Sequence, residues 1–128
     1  MKTTNYEISK KLAEIGFKAK AEKCWAKIRH SVSSEFNLVN LDFAVPQNCD
    51  EWVLSYDLET LLNTLPHNFM LEKKIKFLKM NQSEIGYETG SSPIYDYQLL
   101  CHRMKEESLA DTAGRLIIKL YNNNLIKF

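Results

Sequence analysis

Apolar residues recur at three- and four-residue steps between positions 107 and 127: Leu109, Ala113, Leu116, Ile117, Leu120 and Tyr121. That spacing predicts an amphipathic helix with one broad apolar stripe, with Asp111, Arg115, Lys119 and Asn122 on its other side. Ser108, with an acid in the first turn, supplies a capping-box-like start. The run Asn122-Asn123-Asn124 supplies a stop, because asparagine tolerates the left-handed conformation that closes helices. Leu125, Ile126 and Phe128 then fold back onto the body or add a short strand. Gly114 costs about 1 kcal/mol relative to alanine in mid-helix, which predicts a close approach of another element there.

Two shorter helices are legible upstream. Thr4-Asn5-Tyr6-Glu7 reads as a capping box, and Ile8, Leu12 and Ile15 make a stripe that closes at Gly16 with Phe17 folded back toward Leu12. Asp57 caps a second helix whose Leu58, Leu61, Leu62 and Leu65 share a face and which stops before Pro66. The strands show period-2 alternation. Cys24, Ala26 and Ile28 oppose Trp25, Lys27 and Arg29; residues 36–43 form a less regular second strand after a serine turn at 31–34; a loop at 46–50 leads to Trp52-Val53-Leu54. Ile75 and Phe77 alternate with lysines before the break Asn81-Gln82-Ser83-Glu84, and Ile85 and Tyr87 continue beyond it, which is a hairpin signal. After a turn at 90–93, Tyr95, Tyr97, Leu99 and Cys101 share one face of a last strand.

Together these predict an α+β fold: an antiparallel sheet of about four to five short strands with three helices packed mainly on one face, residues 1–128 forming one domain. The expected core is Ile8, Leu12, Ile15, Leu58, Leu61, Leu62, Leu65, Ile75, Phe77, Ile85, Leu109, Leu116, Ile117 and Leu120. No repeat or low-complexity tract interrupts the chain.

Composition narrows the function classes. At 128 residues, 45% hydrophobic and 26% charged, the chain has enough apolar residues for a core without covalent staples. A net charge of +1 gives no global attraction to nucleic acid or anionic membrane. The charge is blocked, however: residues 1–34 carry eight Lys or Arg and three acids, residues 35–68 six acids and no Lys or Arg, and residues 69–82 four lysines and one acid. No apolar run reaches the roughly 20 residues of a membrane span, and the N-terminus lacks the apolar core of a signal peptide. The expectation is a cytoplasmic protein with no membrane association. Cys24, Cys49 and Cys101, odd in number and widely spaced, suit reduced thiols.

The segments NYEISKKLAEIGF, YDLETLLNTLP and ESLADTAGRLIIKLYNNNLI, in that order and at these separations, resemble a family of small proteins found in bacterial phages and prophages. Residues 19–49 depart from that pattern. The resemblance implies a phage-derived accessory protein, for which inhibition of a host defence system is one specific role, and it carries over no functional residues.

Catalytic and cofactor motifs do not emerge. Cys24 and His30 lie on one face of a strand but about 20 Å apart by strand rise, too far to share a metal, and no Cys-x-x-Cys or His-x-x-x-His spacing occurs. Cys101 and His102 are adjacent, so on a strand they point to opposite faces, which disfavours a thiol–imidazole pair. The four glycines, Gly16, Gly86, Gly90 and Gly114, form no phosphate-binding loop. The expectation is no metal, no cofactor and no enzymatic activity.

What remains is a binding surface. Trp25, Lys27 and Arg29 on one strand and Lys74 and Lys76 on another would form the outer side of a one-sided sheet, with Phe36 and Phe43 nearby. A protein partner, such as a host factor, is the leading expectation, and an unpaired sheet edge offers a route to a homodimer. The alternative is a nucleic-acid-binding module using the basic strand at 73–79, with Phe77, Tyr87, Tyr95 and Tyr97 as stacking platforms.

Overall fold

A computed structural model describes residues 2–29, 35–44, 49–89 and 95–128, with backbone alone at 43, 44, 50 and 95–97. The expected turns at 31–34 and 90–93 and residues 46–48 of the loop expected at 46–50 lie outside the described residues, while Cys49 and Asp50 of that loop are strand, paired with Lys23–Ile28. The chain runs α1 (Tyr6–Glu14), β1 (Lys23–Ile28), β2 (Asn37–Asn40), a single-turn α2 (Leu41–Ala44), β3 (Cys49–Ser55), α3 (Leu58–Thr64), β4 (Asn68–Leu71), β5 (Lys74–Met80), β6 (Glu84–Thr89), β7 (Tyr95–His102) and α4 (Leu109–Asn122).

The α+β class and the antiparallel pairing are as the periodicity predicts, but the strands divide into two sheets. One has the order β2-β1-β3 and the other is the meander β4-β5-β6-β7. The stretch expected as a strand over 36–43 is strand only to Asn40 and then turns helical. β4 has no counterpart in the sequence reading. It pairs with β5 through Glu72 and Lys73, both at positive φ (53° and 66°), a primed two-residue turn built without the usual Asn-Gly or Gly pair.

The helix ends follow the sequence closely. Asn5, rather than Thr4, caps α1: its side-chain oxygen accepts from the Ile8 N–H at 2.8 Å. Gly16 at φ 87° closes the helix, and the N–H groups of Phe17 and Gly16 donate to the carbonyls of Leu12 and Ala13. Asn124, at φ 61°, closes α4 in the same way, with the Leu125 N–H donating to Leu120 and the Asn124 N–H to Tyr121. Ser108 and Asp111 form the full capping box of α4.

The core is built around α4, which packs on β6 and β7 below it and on α1 and α3 beside it. Leu116, Ile117 and Leu120 are fully buried with Leu12, Leu61, Leu65, Ile85, Tyr87 and Leu99. Ile15, Leu58, Leu62 and Leu109 are half-buried against the same cluster. A smaller cluster of Cys24, Ala26 and Cys49, with Ile28, Val39, Leu41 and Leu54, lies on the three-stranded sheet. No helix among the described residues is long and apolar enough to cross a membrane.

Two expected core residues are not in the core. Ile75 is 47% exposed and Phe77 38%, while Lys76 between them is only 6% exposed. Register decides the matter, because Lys76 pairs with Thr89 and Leu78 with Tyr87, so the inward side of β5 is that of Lys76 and Leu78, while Met80 on the same parity is 45% exposed at the strand's end. KIKFLKM has apolar residues at both parities, and a one-residue shift exchanges its faces.

Gly114 has the packing reason its position predicts. A Cβ there would sit 2.5 Å from the Cγ2 of Ile8, on a side chain stiff at its branch point. Gly114→Ala should therefore lower stability despite gaining about 1 kcal/mol of helix propensity, and Leu116→Ala should cost about 2–5 kcal/mol. Urea unfolding measures both; a Gly114→Ala protein more stable than its parent, or an unchanged Leu116→Ala midpoint, would contradict this packing.

Candidate interaction surface

The five residues expected to form one partner surface are split between the two sheets. Trp25 and Lys27 lie on β1, Arg29 follows that strand, and Lys74 and Lys76 lie on β5. Trp25 is half-buried, and its indole N–H donates to the Thr4 carbonyl at 2.8 Å. The same carbonyl accepts from the Ser55 hydroxyl at 2.6 Å and the Ser9 hydroxyl at 3.3 Å, while the Tyr56 N–H donates to Thr4 Oγ1 at 3.1 Å. Trp25 is thus part of a polar knot that joins the start of α1 to β1 and β3. Lys27 holds its ammonium 5.9 Å from the Phe36 ring centroid, and Phe36 stacks on Tyr6 at 4.4 Å. The side chain of Phe43 and the whole of His30 lie outside the described residues.

On the four-stranded sheet the expectation needs correction. Lys76 does not project into solvent. It is buried, and its ammonium donates to Thr89 Oγ1 at 3.1 Å, because its parity on β5 faces inward. Lys74 is exposed. Tyr87, expected as a stacking platform in the nucleic-acid reading, is fully buried, packs edge-on against Phe69 and donates its hydroxyl to the Pro66 carbonyl at 2.7 Å. Burial pushes its phenol well above the ordinary range.

The face that β5 turns outward is apolar instead. Met70 pairs directly with Ile75 across the β4–β5 ladder, and Phe77 follows Ile75 on the same side. The three are exposed at 63%, 47% and 38%. Asn68 and Glu88 flank Phe77 in register, and Lys79 follows it on the same face. Lys79 pairs with Gly86, which is buried and where a Cβ would meet the Leu99 carbonyl oxygen at 2.7 Å and Leu100 Cδ1 at 2.8 Å. Met70 has no local signature in the sequence, since a strand at 68–71 is visible only once Glu72 and Lys73 are known to turn.

A second feature lies on the far side of α4. Ile8 and Lys11 of α1, Leu100, Cys101 and His102 of β7, Met104, and Arg115, Ile118, Lys119, Asn122 and Asn123 of α4 line a groove of about 540 Å3. Glu107 braces its end: its carboxylate accepts from Arg115 Nε at 2.9 Å and Nη2 at 2.6 Å and from the Thr112 hydroxyl at 2.8 Å. Arg115 also donates to the His102 carbonyl. Burial alone would raise the Glu107 carboxyl, but the bonds from Arg115, Thr112 and the Met104 N–H, with the guanidinium charge, hold it below its ordinary value.

Catalytic chemistry finds no support in the thiols. Burial raises the Cys24 thiol, and burial raises Cys101 more than nearby Arg115 and Lys119 lower it, so both are protonated, poor nucleophiles at neutral pH. Among the described residues no three His, Cys, Asp or Glu side chains gather as a metal ion would require. Comparisons with protein-family models, curated proteins and solved structures found no match.

The lowered Glu107 carboxyl has a pH consequence. A carboxyl depressed in the folded state stabilises fully above its unfolded pKa, and the contribution is lost as pH falls through the folded value. Glu107→Gln should therefore be less stable than its parent at neutral pH, by about 1 kcal/mol after solvent screening. The gap should narrow on acidification through the carboxylate range, and thermal melts across that range check it.

Proposed function

We propose that this is a non-catalytic accessory protein that acts by binding another protein, and that the contact is made by the outer face of the four-stranded sheet. The observation that carries this reading is the cluster of Met70, Ile75 and Phe77, adjacent in register and exposed. Leaving large apolar side chains partly in water forgoes a share of the about 1.5–3 kcal/mol that full burial of each would give. Contiguous exposed apolar residues rimmed by polar ones are the usual mark of a protein contact. Met and Phe are enriched in such contacts, and Lys79, Glu88 and Asn68 supply a polar rim. The resemblance to small phage and prophage proteins supports a host factor as the partner.

The nucleic-acid alternative is weakened on two counts. Lys76 and Tyr87, one cation and one aromatic of the surface it needs, are buried. The near-neutral net charge adds little general attraction for phosphates.

Ile75→Glu and Phe77→Glu should leave the fold intact, because neither side chain is in the core, and should abolish partner capture from host lysate. Capture by the parent should survive nuclease treatment. Capture that disappears with nuclease, or binding to short single strands at low salt, would overturn the proposal in favour of nucleic acid. Light scattering after size exclusion identifies the remaining arrangement: a dimer dissolved by Ile75→Glu would make the partner a second copy.

A further inference from the structure

We infer that the groove between α1, the end of β7 and α4 is a second docking site, one that takes an apolar side chain from an acidic segment of a partner protein. The inference rests on the protein-binding reading, but on different residues. The apolar lining is Ile8, Leu100, Cys101, Ile118 and the largely exposed Met104, and the volume of about 540 Å3 accommodates one or two large side chains. The rim is of one sign. Lys11, Arg115 and Lys119 are its charged lining residues, and no Asp or Glu lines it.

Not all of that charge is available. Arg115 is neutralised by Glu107 at 2.6 Å. Lys11 and Lys119, one helical wall each, have no carboxylate within ion-pair distance among the described residues. Lys119 donates to the Leu100 carbonyl at 3.1 Å, which fixes its ammonium at the rim without cancelling its charge. Two cations on different helices beside an apolar lining favour an occupant whose carboxylates flank an apolar residue. The groove is open to solvent, so it would leave a small molecule largely wet, whereas a peptide needs only its anchor buried.

The test is a fluorescence-anisotropy titration of the whole protein with a short labelled peptide carrying Phe-Leu between runs of Glu. The expected result is saturable binding that weakens with added salt, becomes about tenfold weaker in Lys11→Glu, and is unchanged in Lys127→Glu. The same peptide with Ser-Ser in place of Phe-Leu should not bind. Absence of saturation, equal binding of a Lys-flanked peptide, or indifference to Lys11→Glu would overturn the inference. So would binding of laurate without binding of the peptide, which would assign the groove to a small anionic amphiphile. The outer sheet face takes no part in this titration, so its failure would leave the proposal for Met70, Ile75 and Phe77 standing.

Discussion

The carboxylate of Asp111 is the constraint on which the arrangement of this protein turns. It is 4% exposed and accepts from the backbone N–H of Ser108, which starts α4, at 3.1 Å and from the backbone N–H of Asn5, which starts α1, at 2.6 Å. One buried anion thus meets the unpaired donors and the positive dipole ends of two helices far apart in sequence. The buried charge is tolerable because its oxygens are hydrogen-bonded, the Ser108 hydroxyl completing the set at 3.1 Å. Once the two helix starts are joined, Ile8 comes to lie against Gly114 and Leu12 enters the main core. Thr4, one residue before the joint, carries the constraint onward to Trp25 and Ser55 and so fixes α1 on the three-stranded sheet.

The surfaces follow from that arrangement. With α1 held beside α4, the line between them leaves a groove lined by Ile8 and Ile118 and by Lys11 and Lys119. With α4 covering Ile85, Tyr87, Leu99 and Cys101, no helix among the described residues packs on the opposite side of the meander, and β5 presents Ile75 and Phe77 there. The two surfaces differ in chemistry, one apolar with mixed polar neighbours and the other apolar with lysines beside it.

Local signals in the sequence identified the helices well. Gly16, Asn124, Asp57 and the Ser108–Asp111 box each act within a few residues, so their effect can be read without knowing the fold. The faces of β5 could not be read that way. Lys-Ile-Lys-Phe-Leu-Lys-Met supports either parity, and the choice was made by pairing with β6 across the Asn81 turn, where Asn81 Oδ1 accepts from the N–H groups of Ser83 and Glu84. The division into two sheets and the existence of β4 also depend on contacts outside any one segment. Asp111 was legible as a cap of its own helix, whereas its bond to Asn5 spans 106 positions and has no local signature.

Amide hydrogen exchange in an Asp111→Asn protein tests this account most directly. The substitution keeps the side chain's shape but leaves it one acceptor oxygen and no charge for the N–H groups of Asn5 and Ser108. The account predicts that the first turns of α1 and α4 lose protection together, while the amides of β6, away from the joint, keep theirs. Faster exchange confined to α4, with the start of α1 as protected as before, would contradict it.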